Sequence, residues 1–463
     1  MALIGLDLGT TTVTGALVDT GARKVLGLAR RRNDGALPQA QSTRAEQDPQ
    51  RLRQRALEVL ADLAGAGQPV DGLALTGQKH GLLCVTASGE PLTPLITWQD
   101  QRTAEPLPGG TTTLAQLRER LADLDWRDNG CRIQHGYGGA TLFWLAQQSQ
   151  LPQGTHRACT AAGWLAGQLT TQQPLSDPTF AASWGIFDVR RGTWNRAFLE
   201  RLALDPAILP PVHPAGELVG HLDARSARQA RLPQGLPVYN ALGDTQASFL
   251  GSTADPDPAP DQTILLNLGT GGQVCWAAPT FELPSERVET RPLPTGRFLR
   301  VGASLCGGEA YAWLNRTVRN WLAAFDVHAG EETVYEELNR LAAGREDTAG
   351  LRVRTTFQGV RGESQIEAGS VEGISVDRLD LGALARATLQ GIVDELYDLY
   401  AGHGGSQAGH RQILPAGGAV ERNPLLPELI EARFGLPVIK PAVEETAAVG
   451  AALLVARRRS GPA

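Results

Sequence analysis

Two segments of this 463-residue chain follow one pattern: Ile4-Gly5-Leu6-Asp7-Leu8-Gly9-Thr10-Thr11-Thr12 near the start and Ile264-Leu265-Leu266-Asn267-Leu268-Gly269-Thr270-Gly271-Gly272 past the middle. Each is an apolar β run that turns over at Gly-Thr, the form of a tight hairpin whose amides and hydroxyls can hold an anion. A repeated phosphate loop predicts two related domains closing on one nucleotide. The length agrees, because a chain of 463 residues exceeds the size at which a single core stops growing.

The surroundings of both hairpins read as α/β. Val13 to Val18 returns as a strand, and Asp48-Pro49 is an N-cap followed by proline at the first helical position. Leu52, Ala56, Val59, Leu60 and Leu63 then recur at helical spacing. In the second half Leu381, Leu384, Thr388, Leu389, Ile392, Leu396 and Leu399 form one face of a long helix, and Ile413 to Gly418 reads as a strand entering a glycine turn. The stretch Thr253 to Gln262, rich in proline and acid, can continue neither a strand nor a helix. It is expected to link a first domain over 1–252 to a second over 263–463.

Composition narrows the class. With 43 basic against 49 acidic residues, a net charge of −6, the chain lacks the electrostatic footprint of a nucleic-acid or anionic-membrane binder. No segment reaches the ~18 apolar residues needed to span a bilayer, and no basic stretch precedes an apolar leader. Cys84, Cys131, Cys159, Cys275 and Cys306 are scattered without a Cys-x-x-Cys pair, so neither a disulfide framework nor a zinc site is expected. A cytoplasmic protein with a small-molecule partner is the expectation.

Several residues could carry chemistry. Asp7 precedes Gly9-Thr10-Thr11-Thr12, which sets a carboxylate beside phosphate-binding groups, as a magnesium nucleotide requires. Asp244 follows an apolar strand and a glycine, and reads equally as a proton acceptor at a strand end or as a helix N-cap. Gly417-Gly418 and Gly307-Gly308 would let backbone approach a phosphate, or serve as hinges. Thr76-Gly-Gln78-Lys79-His80-Gly81, Thr97-Trp98-Gln99-Asp100-Gln101-Arg102 and His135-Gly-Tyr137 supply polar groups with aromatic surfaces, a combination suited to a sugar.

Taken in order, Asp7-Leu-Gly-Thr-Thr, Thr76-Gly-Gln-Lys-His-Gly, Thr97-Trp-Gln-Asp-Gln-Arg, Gly243-Asp244, Asn267-Leu-Gly-Thr-Gly, Ala416-Gly-Gly and Glu445-Thr-Ala-Ala-Val-Gly-Ala-Ala make the chain similar to the FGGY carbohydrate kinases over nearly its whole length. The resemblance implies an actin-like fold of two ribonuclease-H-like domains with ATP and sugar in the cleft between them. It implies Asp244 as general base and Asp7 as the residue ordering Mg2+ and its waters. Thr10, Thr11, Thr12, Gly269 and Thr270 would bind phosphates, with Gly307, Gly417, Gly418 and Asn423 along the nucleotide. Gln78, Lys79, His80, Trp98, Asp100 and Tyr137 would face the sugar. The acceptor implied is a terminal hydroxyl of a ketose, foremost sedoheptulose, with xylulose, ribulose or glycerol as alternatives. A non-catalytic nucleotide sensor on the same fold is the reading from another class. Relatives of this type are often homodimers.

Two positions depart from the family pattern. Thr14 stands where many relatives have a basic residue, and Lys79 where its ketose kinases usually have methionine. A cation at 79 could donate to additional hydroxyls.

Overall fold

The computed structural model describes residues 1–463 apart from 40, 66, 254–258, 360–367, 441–442 and 461–463. Half of the expected linker, 254–258, thus lies outside the described residues. Strands β1 (Ala2–Leu8), β2 (Thr12–Asp19), β3 (Lys24–Arg32), β4 (Leu73–Gly77), β5 (Leu218–His221) and β6 (Pro237–Gly243) form one sheet in the order β5-β6-β4-β1-β2-β3. Strands β7 (Thr263–Leu268), β8 (Gly272–Ala278), β9 (Val288–Pro292), β10 (Phe298–Ser304) and β11 (Gln412–Ala416) form a second, in the order β9-β10-β8-β7-β11. In both, the hairpin strands are antiparallel and the first of them pairs parallel with a later strand: β1 with β4, β7 with β11. The repeat seen in the sequence is a repeat of topology.

Helices cover both faces of the first sheet at its four inner strands, β1, β2, β4 and β6, which is why those strands are buried almost throughout. Ile4, Leu6 and Leu8 point into a core shared with Leu52, Val59, Leu60 and Trp164, and Leu3 points the other way. The helix Pro49–Ala64 begins at the Asp48 cap, whose side chain accepts from the Gln50 amide, and its Leu52, Ala56, Val59, Leu60 and Leu63 are buried. Each fully buried leucine adds about 1.5–3 kcal/mol of transfer free energy. In the second half the helix Leu381–Ala401 buries Leu384, Leu389, Ile392, Leu396 and Leu399 on its sheet.

The C-terminal helix Thr446–Arg459 crosses back to the first half. Its Ala448, Val449 and Ala452 pack with Leu3, Val18 and Ala74 of the first sheet and with Ala247 and Leu250 of the helix Asp244–Ser252. The approach depends on missing side chains. A Cβ on Gly5 would overlap the Ala448 carbonyl oxygen, one on Gly251 that of Thr446, and one on Gly450 that of Ala247. Among the described residues no helix is long and apolar enough to cross a membrane, and all five cysteines are buried.

Candidate active site

Strand register assembles the first part of the site. Leu8 lies beside Gly77 and Gly77 beside Gly243, so β1, β4 and β6 end side by side at their carboxyl termini. Open α/β sheets bind ligands at that edge. Here it leads into a cleft of about 700 Å3 lined from the first half by Thr10, Lys79, His80, Trp98, Tyr137 and Asp244. Asn267, Gln273 and Leu305 line it from the second half.

Asp244 is the first residue of the helix Asp244–Ser252, whose cap is Gly243, so the carboxylate is not a capping group for its own helix. It accepts from the Thr245 amide at 2.6 Å and stands 3.9 Å from Lys79 Nζ. Desolvation raises its pKa against the pull of the Lys79 ammonium, which favours proton uptake. Burial in turn lowers Lys79, offset by Asp244. Asp7 is also raised, to about 8, by burial, then by the Asp244 charge, then by Glu445. Its Oδ1 is buried with no hydrogen-bond partner. A buried carboxylate oxygen without a partner, under the repulsion of the Asp244 and Glu445 charges, has the chemistry to hold a cation. Among the described residues no three His, Cys, Asp or Glu side chains cluster to enclose a metal, so the cation would be held by one carboxylate, waters and phosphate oxygens, as Mg2+ commonly is.

His80 sits at φ 70°, a left-handed backbone rarely adopted by residues other than glycine. Ser183 holds it there: the His80 amide donates to Ser183 Oγ at 3.1 Å, and His80 Nδ1 lies 2.6 Å from the Ser183 carbonyl oxygen. A carbonyl only accepts, so Nδ1 carries the proton and Nε2 is left as an acceptor. Burial, then the Lys79 and Arg291 cations, keep the ring neutral by holding its pKa well below the usual histidine range. The imidazole stacks on Tyr137 with ring centroids 4.3 Å apart. One turn thus offers a cation at 79 and an acceptor at 80. Trp98, 46% exposed, adds an aromatic face, its indole N–H donating to Thr10 Oγ1 at 2.9 Å.

A short helix behind the cleft supports Asp244. Asp177 caps Pro178–Ala182 and accepts from Thr179 Oγ1 at 2.8 Å, while that hydroxyl accepts from the Gly243 amide at 2.7 Å. The backbone from which Asp244 departs is therefore fixed by a buried Asp-Thr pair.

The second hairpin borders another cavity, of about 580 Å3, lined by Gly269, Thr270, Gly308, Gly418 and Asn423, with Tyr311, Asn339, Leu389 and Ile392 forming an apolar and amide-lined slot. Its strand residue Asn267 lines the 700 Å3 cleft, while Leu268, Gly269 and Thr270 line this one. The hairpin is the ridge between the two cavities. Gly307 packs on Gly271, where a Cβ would collide with backbone, and Gly417, at φ +100°, presses on Leu268 and Asn267. These two glycines shape the ridge without lining either cavity.

Some expected contacts take other positions. Gln78 is 3% exposed, accepting from Thr10 Oγ1 at 3.3 Å and donating to Gln47 at 3.2 Å, so it braces the first hairpin instead of lining the cleft. Asp100 is 1% exposed, bound by Arg102 Nε at 2.7 Å and the Ala45 amide at 2.9 Å; a carboxylate so occupied does not reach the cleft. Thr11 is exposed and Thr12 half-buried, and neither lines a cavity, while Thr14 is buried in the sheet. The Asn423 amide donates to Asn339, which also accepts from the Tyr311 hydroxyl. Gln101 and His135, from the turns marked in the sequence as suited to a sugar, also line the cleft, together with Gln134 and Thr245, which the sequence did not single out.

A sequence model described as the N-terminal domain of the FGGY family of carbohydrate kinases matches residues 2–251, and its C-terminal counterpart matches residues 265–458. The chain is 29% identical to the sedoheptulokinases of Mus musculus and Homo sapiens, over 98% of its own length and 97% of theirs. It is 28% identical to a glycerol kinase of Leptothrix cholodnii, over 98% of this chain and 89% of that one. In structure it resembles the xylulose kinase from Rhodospirillum rubrum, with TM-score 0.84 at 24% identity, covering 100% of this chain and 91% of the other. A gluconate kinase from Lactobacillus acidophilus is similar at TM-score 0.84 and 20% identity, over 99% and 89% of the two chains. The fold is the actin-like, two-domain α/β arrangement of duplicated ribonuclease-H-like units.

Proposed function

The chain belongs to the FGGY family of carbohydrate kinases and is a sugar kinase, and from that premise we propose that it transfers the γ-phosphoryl group of ATP to a terminal hydroxyl of a ketose, sedoheptulose first among the acceptors. The observation that carries this reading is the ridge formed by the second hairpin, with a nucleotide-sized slot on one side and the Asp244 cleft on the other. A triphosphate laid over Gly269-Thr270 from the slot would present its terminal phosphorus to an alcohol held near Asp244.

In this mechanism Asp244 takes the proton of the acceptor hydroxyl as that oxygen bonds to the γ-phosphorus and the bond to the ADP oxygen breaks. Asp7 would hold Mg2+, which supplies charge neutralisation on the phosphates when bound. Lys79 holds Asp244 through charge and donates to acceptor hydroxyls, and neutral His80 accepts from another. Trp98 and Tyr137 cover the apolar faces of the sugar and exclude water, which would otherwise compete as acceptor. Thr10 and Thr270 contact phosphate oxygens.

Sedoheptulose is favoured by the end-to-end similarity to two sedoheptulokinases and by a cleft with several polar groups along its length. Glycerol kinases at 26–28% identity keep glycerol on the test panel. Sedoheptulose, xylulose, ribulose and glycerol should be compared by ADP release, and sedoheptulose should give the highest kcat/KM. Another acceptor surpassing it by about tenfold, or 1.4 kcal/mol of transition-state binding, would replace the substrate named here.

A further inference from the structure

The second half packs behind the His80–Tyr137 side of the cleft through Glu289 and Arg291. They lie two residues apart on β9 and so project from the same face of that strand. β9 is an edge strand, pairing only with β10 within its own sheet, and its Thr290 amide donates to the Gly130 carbonyl of the first half at 2.8 Å. Glu289 is 9% exposed and Arg291 2% exposed. Arg291 donates through Nε and Nη2 to Glu289 Oε2 at 2.9 and 2.8 Å, and through Nη1 to the Ala182 carbonyl at 2.5 Å. Its Nη2 also reaches the Tyr137 hydroxyl at 3.1 Å, and that hydroxyl donates to Glu289 Oε1 at 2.8 Å.

The Tyr137 hydroxyl therefore gives its one proton to Glu289 and accepts from Arg291. What it offers an acceptor is the ring, stacked on His80, and not a free donor. Neither charged residue lines the cleft itself. Arg291 also grips Ala182, one residue before Ser183, the residue that fixes His80. Both members of the His80–Tyr137 stack are thus tied to the same ion pair from the other half. A buried pair adds little to stability unless every polar group is satisfied, and its best-attested benefit is a unique arrangement.

We propose that Glu289 and Arg291 are positioning residues for the acceptor sugar, locking the His80–Tyr137 platform so that the sugar subsite is complete only when the two halves are apposed. The inference rests on the acceptor site of the preceding section. Its test is steady-state kinetics on Glu289→Gln, Tyr137→Phe and the double variant, with the acceptor that the panel identifies. Each single variant should raise the acceptor KM about tenfold while the ATP KM stays within about twofold, and the double variant should be no worse than the poorer single one, because all three remove one linkage. Tyr137→Phe deletes a single oxygen and carries the test alone if Glu289→Gln does not fold. An acceptor KM within twofold of wild type, a parallel rise in both KM values, or additive losses in the double variant would each overturn the inference while leaving the kinase reading intact. A wild-type protein that turns over no panel member sinks that reading and this inference with it.

Discussion

The two hairpins share a backbone plan but differ in how they are held. The first, over Gly9 to Thr12, is gripped by side-chain amides: Asn33 donates to the Gly9 and Thr10 carbonyls, Gln47 to Thr10, and Gln78 and Trp98 engage the Thr10 hydroxyl. The second, over Gly269 to Gly271, is held by backbone. Gly308 and Glu309 amides donate to the Gly269 and Thr270 carbonyls, and Gly307 and Gly417 press against it where any Cβ would clash. Position for position, Asp7 in one corresponds to Asn267 in the other. The first hairpin is thus fixed by side chains that a single substitution can remove, whereas the second is fixed by close backbone contacts that only glycine permits. The duplication repeats the scaffold, and the side chains divide the labour.

That division can be broken at graded points. Asp244→Asn removes the proton acceptor from the first half and should lower kcat by about 10^2–10^4-fold, with nucleotide affinity by calorimetry unchanged. A near-normal rate would end the assignment of the base. Gly450→Val places a branched side chain against the Ala247 carbonyl where the C-terminal helix crosses the first half. The loss should be about 1–3 kcal/mol in chemical unfolding, and an unaltered midpoint would show that the crossing is looser than described.

The Asp-Thr support of the base gives a pH-dependent test. Burial raises Asp177 from 3.8 to about 7. Since the folded state holds this proton more tightly than the unfolded chain, its contribution is most favourable below pH 3.8, declines as pH rises toward about 7, and is level above. Asp177→Asn keeps the capping oxygen and removes the titration. Relative to wild type, the variant should therefore gain on the order of 2 kcal/mol between pH 5 and pH 8 in urea unfolding. A pH-independent difference would show that Asp177 is not the titrating group.

The Asp7/Asn267 asymmetry is sharpened by Asn267→Asp, which would put a second carboxylate at the ridge. Like charges near a triphosphate should raise the ATP KM about tenfold, and because Asn267 lines the cleft that holds Asp244 the acceptor KM should rise as well, by a smaller factor. Equal effects on both substrates would show that Asn267 does not separate the two cavities.

Much of this was written locally. The hairpin pattern, the Asp48-Pro49 helix start and the apolar face from Leu381 to Leu399 each need only near neighbours to be expressed, and each appears where periodicity puts it. Lys79, His80, Trp98 and Tyr137 announced themselves as polar and aromatic residues in glycine-bounded turns, and the cleft gathers them. The same signal misled for Gln78 and Asp100, because a polar side chain in a turn serves the backbone of a neighbouring loop as readily as it serves a ligand. Glu289 and Arg291 gave no signal. Alternating charges on a short strand read as the wet face of a sheet edge, and only the seating of that edge against Tyr137 makes them internal.

The sequence by itself determined the repeated α/β units and the chemical types gathered at their glycine turns, since strand, helix and turn preferences act over a few residues. Only the tertiary structure decided which of those groups face the cleft, which brace it from behind, and that β9 of the second half seats its charged side chains against Tyr137 of the first. Those choices depend on register and packing between segments more than a hundred residues apart, where burial sets both the partner and the charge of each group.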